Sequence, residues 1–311
     1  MLKSILRPQI IIAVVLSLSL LGFVLSLSDL SKVMGRIQGI PIFTMLLCLG
    51  LAVAYLALKG FQLRFLLEEI EIPIPWKPLV FSFAIGEMSI MIPGGVYVQN
   101  YLLGRTASAA FSRSSAATTA VLLAEATVAL TVVAVLGIPG WQWLRPAILA
   151  AVAFAGLALS TLMVVGPLRR LACGVMLAGP FKRVGWEFLE MVKELGVLAK
   201  PRVVLRFAPL SAAYLLALVS AFYLVGHAVG QSTFTFQQAA TVYLLALSVV
   251  LVSPISSHVG VIEATGLGAM QAWGYSPTEG MTALLGFRIV WTGAVWLACG
   301  STALLLRGQW R

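Results

Sequence analysis

Four ionisable side chains stand inside otherwise apolar stretches of this sequence: Glu87, Glu125, Glu263 and Arg288. A charge at the centre of a bilayer costs about 2.5–3.5 kcal/mol on insertion scales, so such groups face one another, a polar cavity or a ligand. Arg288 cannot shed its charge and needs an anion. Glu263, twenty-five residues before it, is the nearest protein candidate, and Glu125 the next. A buried Arg–Glu pair has two readings, which the residues leave open. It is a permanent link between two helices, or it opens to hold an anionic group through the planar guanidinium fork. Glu87 has no evident partner and reads as a carboxyl that carries its proton.

Polar residues gather near these charges. Gln99 and Asn100 follow Pro93, Gly94 and Gly95; Ser256, Ser257 and His258 follow Pro254 and precede Gly260. Pro removes a helix hydrogen bond and Gly loosens the backbone, so both places are breaks. Free N–H groups at a broken helix suit phosphate or carboxylate. The expected translocation site is therefore Arg288, Glu263, Glu125, Glu87, Ser257, His258, Gln99 and Asn100, with hairpin tips at Pro93, Gly94, Gly95, Pro254 and Gly260. The competing reading is that these polar groups only satisfy one another. Cys48, Cys173 and Cys299 form no CxxC pair, and His227 and His258 are the only histidines, so neither metal nor cofactor is expected. There is no HExxH, nucleophile elbow or phosphate-binding loop, and no enzyme activity is expected.

The elements that position these groups follow from hydropathy. Hydrophobic residues make up 60% of the 311 and charged ones 10%, with a mean hydropathy of +1.00. That excludes a soluble globular enzyme, a disordered chain and a disulfide scaffold. The net charge of +10 is read as cytoplasmic loop bias and anionic lipid contact, with no role for nucleic acid. Six apolar runs span a bilayer: 10–27, 42–58, 115–137, 147–166, 207–226 and 280–306. The first resembles a signal peptide but lacks a small-residue cleavage site, and is read as a retained helix. Glu279 reads as the first-turn acid of the last.

Two further runs, 79–105 and 241–273, carry the breaks. Irregular backbone at membrane depth survives only inside protein or beside water, so each is either a kinked helix or a re-entrant hairpin. Loop charge separates the two. With both runs re-entrant and the N-terminus inside, 17 basic residues lie inside and 3 outside, as the positive-inside rule requires. The expected fold is an all-α integral membrane protein of about six transmembrane helices and two re-entrant hairpins. It forms a single domain over 1–311, in a bacterial or archaeal cytoplasmic membrane, with both termini cytoplasmic. Between about 170 and 206, Trp186, Leu189, Met191, Val192, Leu195 and Leu198 make an apolar stripe, with Glu187, Glu190 and Glu194 opposite. It reads as an amphipathic helix on the cytoplasmic surface, or else as a docking helix for a partner.

Units at about 79–137 and 239–306 resemble each other. Laying Pro93-Gly94-Gly95-Val96 over Ser256-Ser257-His258-Val259 puts Glu125 and Arg288 at the same offset, thirty-two residues on. Each falls roughly 12–15 Å into its helix, near mid-depth. The charge count makes the two units an inverted repeat, an architecture of alternating-access transporters.

The second break resembles a known pattern. Pro254, then Ser256-Ser257-His258, Val259-Gly260-Val261, Glu263 and, later, Arg288 are similar to P-x-P-G-G-x-G-x-x-E followed by a transmembrane Arg. That pattern belongs to the flippase-like transmembrane region of lysylphosphatidylglycerol synthases, the membrane part of the multiple peptide resistance factor. Pro93 to Arg105, with Leu102-Leu103 and then Glu125, resembles that family's earlier motif. Ser256, Ser257 and His258 stand where Pro-Gly-Gly is usual; Val96 and Gln99 stand where Glu and Arg are usual. The family's aminoacyl transferase domain has no counterpart here, so lysyl transfer is not implied. The resemblance implies movement of a lipid or lipid-linked headgroup between leaflets, the partner being an anionic phospholipid or a polyprenyl-phosphate lipid. A small-solute or ion transporter and a non-transporting scaffold are the alternatives. Homo-oligomerisation is left open.

Overall fold

The structure, a computed structural model, describes residues 15, 19–23, 25–91, 95–148, 150, 182–252 and 260–307. Among them every regular element is helical. The labelled helices are α1 (Leu30–Gln38), α2 (Ile42–Glu69), α3 (Trp76–Met88), α4 (Val98–Ala107), α5 (Phe111–Leu136), α6 (Lys182–Leu198), α7 (Pro201–Ala228), α8 (Phe236–Val252), α9 (Val261–Ala272) and α10 (Pro277–Arg307).

Four of these, α2, α5, α7 and α10, are long and apolar enough to cross a membrane. They correspond to four of the six runs read from the sequence. The run at 10–27 and the run at 147–166 lie largely outside the described residues, as do the tips at Pro93, Gly94 and Pro254 and the polar side chains of Ser256, Ser257 and His258. The greatest difference is in α2. The sequence reading ends this span at Leu58 because Lys59 follows; the helix continues for eleven residues beyond Leu58, to Glu69. Nothing between Lys59 and Glu69 breaks it, and Leu63, Leu66 and Leu67 carry the buried face onward. Lys59, which the loop-charge count places inside the cell, is 3% exposed within the bundle. The bias becomes 16 to 3 and keeps its sign.

Local signals set the ends. Asp29 caps α1 by accepting from the Lys32 N–H at 3.2 Å. Pro201 opens α7, where a missing N–H costs nothing. Ser276 and Glu279 form a reciprocal cap on α10: Glu279 accepts from the Ser276 N–H at 3.0 Å, and Ser276 Oγ accepts from the Glu279 N–H at 3.3 Å.

Each broken stretch is a pair of shorter helices packed on each other. In the first, α3 and α4 touch where Gly86 meets Gln99; a Cβ on Gly86 would come within 2.8 Å of Gln99 Cβ. A 3₁₀ turn at Gly95–Tyr97 joins the tip to α4. Gly95 packs so tightly on the Ser89 carbonyl that no side chain fits there. In the second, α8 packs on α9, and Gly260 starts α9 with a φ of +83°, a region open to glycine.

The main core surrounds α7, α8 and α10, with Tyr214, Phe222, Phe287 and Met281 at its centre. Small residues along α5, including Ser115, Ala116, Ala117 and Ala120, bring its neighbours close. Gln62 of α2 donates to Ser211 Oγ of α7 at 2.8 Å inside the bundle.

The amphipathic segment is a helix, as its periodicity requires, and part of its apolar stripe packs on the bundle. α6 packs on α5, and Leu195 and Leu198 join a second core with Leu63, Leu66 and Phe207. Glu190 and Glu194, assigned to a solvent face, turn to the start of α5. Glu190 accepts from Ser112 Oγ, and Glu194 from Arg113 Nε at 2.9 Å. Trp186, at the start of the apolar stripe, is 59% exposed.

Candidate functional site

Lys59 is the charge that the sequence reading missed. Its ammonium donates to Tyr55 Oη at 2.8 Å and lies 3.0 Å from Glu125 Oε1 and 3.2 Å from Glu87 Oε1. An ammonium has three N–H donors, and these three oxygens use them all. The four groups come from three helices. Tyr55 and Lys59 are one turn apart on α2, Glu87 is in the last turn of α3, and Glu125 is in the middle of α5. All three charged side chains are at least 95% buried. Glu87, read from sequence as a solitary protonated acid, therefore has a cation beside it. Glu125, read as an alternative partner for Arg288, pairs with Lys59.

Glu263 and Arg288 form the pair read from the sequence. Glu263 is fully buried, while the Arg288 side chain is 18% exposed. One carboxylate oxygen of Glu263 accepts from Arg288; the other accepts from the Gly260 N–H at 2.7 Å. The acid thus sits at the start of α9, where unpaired N–H groups and the helix dipole favour negative charge. The Gly260 break and the Arg288 pair are held by one side chain.

Both clusters meet one cavity. Its wall includes Tyr55, Lys59, Glu87, Glu125, Tyr243 and Arg288, and it offers about 100 Å³ to the centres of water molecules. Phe287 and Trp291 stack at 5.6 Å between ring centroids on the α10 side, and Tyr55 meets Trp291 edge-on at 5.4 Å. Glu125 and Arg288, equivalent in the two repeat units, line the same space from α5 and α10. Counted as ionised, the two clusters hold two cations and three carboxylates. The site carries one more acid than base.

Gln99 and Asn100 lie beside this cavity, not on its wall. Gln99 Nε2 donates to Thr118 Oγ1 at 2.8 Å, and Thr118 Oγ1 donates to Asn100 Oδ1 at 3.0 Å. Both are buried. They fasten the second arm of the first broken pair to α5, next to Glu125. Gln99 Nε2 and Asn100 Oδ1 are thus taken up by Thr118, while Asn100 Nδ2 is buried with no partner among the described residues. Among the described residues no group of three His, Cys, Asp or Glu side chains is arranged to hold a metal.

One signal would have revealed Lys59. The apolar pattern of 42–67 continues on both sides of it, so the residue interrupts a helix instead of ending one. Tyr55, one turn earlier, supplies a hydroxyl on the same face. An intramembrane lysine with an oxygen partner on its own helix belongs with the other charges.

Comparison with known proteins places the chain. Residues 10–299 match the family described as lysylphosphatidylglycerol synthase TM region, and the chain belongs to that family. It is a membrane protein of a lipid-related family. No match is found among curated proteins.

Proposed function

We propose that this member of the lysylphosphatidylglycerol synthase transmembrane family moves a phosphate-bearing membrane lipid between leaflets and catalyses no covalent step. The observation that carries the reading is a cavity inside a bundle of membrane helices whose wall holds Lys59, Glu87, Glu125 and Arg288. Arg288 is the most exposed of the five charges and the only one whose fork fits a phosphate with two parallel hydrogen bonds. A phosphate that takes Arg288 displaces Glu263, which keeps the Gly260 N–H. The acid set free of its cation then takes up a proton, and that step couples translocation to the proton gradient. Lys59, fully engaged by Tyr55, Glu87 and Glu125, holds the first broken pair against α5 and presents the second acid–base cluster.

In this reading the broken pairs are re-entrant and enter from opposite faces, with both termini cytoplasmic in a prokaryotic cytoplasmic membrane. The positive-inside bias supports that orientation. The cavity has room for several waters. In this reading the headgroup reaches Arg288 between α3 and α10. The test is leaflet exchange in proteoliposomes, with fluorescent phosphatidylglycerol, phosphatidylcholine and polyprenyl phosphate compared. Exchange of the anionic lipids above the protein-free rate supports the reading, and no exchange of any of the three overturns it.

A further inference from the structure

A second hollow lies along the same helices. It is lined by Val53, Leu56, Ala57, Gly60 and Phe61 of α2, by α3 near Phe83 and Ala84, and by Cys299 and Thr302 of α10. It offers about 300 Å³, more than the charged cavity, and its wall is almost wholly apolar. Thr302 spends its hydroxyl on the Ala298 carbonyl at 2.8 Å. From Val53 to Arg64 the hollow runs beside α2 for roughly 16 Å at 1.5 Å per residue.

The hollow and the charged cavity share two continuous stripes. On α10, Arg288, Trp291 and Val295 face the cavity, and Cys299 and Thr302 come next on the same side at helical spacing. On α3, Met91 just past the helix end and Glu87 face the cavity; Phe83, Val80 and Trp76 continue the line into the hollow. The α3–α10 seam therefore runs from the hollow to the charges. At its far end stand Trp76, 56% exposed, and Arg64, whose side chain is 42% exposed. Tryptophan and a basic residue together are the composition of a membrane–water interface. Glu68 engages only the Arg64 Nε, at 2.8 Å, which leaves the other guanidinium donors for a phosphate.

We infer that this hollow is a berth for one acyl chain of a phospholipid, whose phosphate rests at Arg64 beside Trp76 at the start of the seam. The wall suits a chain and not a headgroup, because beyond Arg64 and Trp76 at one end its lining is almost wholly apolar. Gly60 keeps the berth open at its middle. A Cβ there would meet only Phe83, at 3.5 and 3.7 Å, so a larger residue would project into the hollow without forcing the backbone. The inference rests on the translocase reading only for the step after docking, in which the seam leads the headgroup to Arg288. The berth itself is tested without transport.

The protein is placed in nanodiscs containing phosphatidylglycerol with a photoactivatable diazirine in one acyl chain, and adducts are mapped by mass spectrometry. Adducts concentrate on the peptides carrying Ala57, Gly60, Ala84 and Cys299. They fall at least fivefold in Ala57→Phe and Gly60→Leu, while adducts at the exposed Ile42 and Val135 stay as in the wild type. Ala57 is itself exposed, so its variant keeps the fold if Gly60→Leu does not. Adducts on these peptides no denser than at Ile42 and Val135, or undiminished in the filled variants, overturn the berth. Normal berth labelling without leaflet exchange overturns the translocase reading alone; exchange without berth labelling overturns the berth alone.

Discussion

Replacing Lys59 with methionine removes one buried positive charge and keeps most of the volume. Glu125 and Glu87, 3.0 and 3.2 Å from the Lys59 ammonium in the wild type, then face an uncharged side chain. The cheapest escape is for the folded protein to bind one proton more than the wild type. Taking a proton at pH 7 onto a carboxyl that titrates near 4.3 in solution costs about 3.7 kcal/mol. That agrees with the roughly 3–5 kcal/mol lost when a buried pair is broken. The variant's folded state holds a proton that its unfolded state releases, so its deficit grows by about 1.4 kcal/mol for each pH unit above 4.3. At pH 5 the deficit shrinks to about 1 kcal/mol. With an unfolding entropy of about 2.1 cal/mol/K per residue, 3.7 kcal/mol over 311 residues lowers the melting temperature by about 6 °C. The assay is thermal unfolding in nanodiscs at pH 5, 6 and 7, for the wild type, Lys59→Met, and Lys59→Met with Glu87→Gln and Glu125→Gln. The triple variant should recover most of the loss and lose the pH dependence. A Lys59→Met deficit that is the same at pH 5 and pH 7 would refute the ion-pair account.

Thr118→Val keeps the shape of the residue that serves both Gln99 and Asn100; stranding their buried groups should cost about 1–3 kcal/mol, read as a lower melting temperature. Gly95→Ala puts a methyl where the Ser89 carbonyl lies, so the tip must move, and the variant should express poorly or melt earlier. A cysteine placed at the exposed Lys193 should react with an impermeant maleimide only after cells are opened; reaction in intact cells would reverse the orientation. Glu263→Gln keeps an acceptor for the Gly260 N–H but removes the charge facing Arg288, so exchange should lose its dependence on the proton gradient while the fold survives.

The part of the site legible in the sequence was the part built on local pattern. Glu263 and Arg288 each interrupt an apolar run, and the Gly260 break just before Glu263 marks a helix start. That places an acid and a base on adjoining elements, and they pair. Glu125 was found the same way, through its offset from Pro93. Its partner was not, because Lys59 sits near the edge of an apolar run, where a lysine ordinarily ends a span. Only the packing of α3 and α5 against α2 shows that the residue is inside. The distant partners of the α6 glutamates are hidden for a related reason. Glu190 and Glu194 look like a solvent face until Ser112 and Arg113, some eighty residues earlier, arrive opposite them. Periodicity finds a helix; it does not say which polar residue has a distant partner.

Arg288 is, in the proposed mechanism, the fixed charge that takes a phosphate inside the membrane. Its most direct test is the exchange rate of fluorescent phosphatidylglycerol in proteoliposomes bearing the wild type, Arg288→Lys or Arg288→Ala. Each protein is first shown by thermal unfolding to be folded. The mechanism predicts exchange at the protein-free rate for Arg288→Ala, and an intermediate rate for Arg288→Lys, whose ammonium lacks the planar fork. Wild-type exchange by a folded Arg288→Ala protein would contradict it.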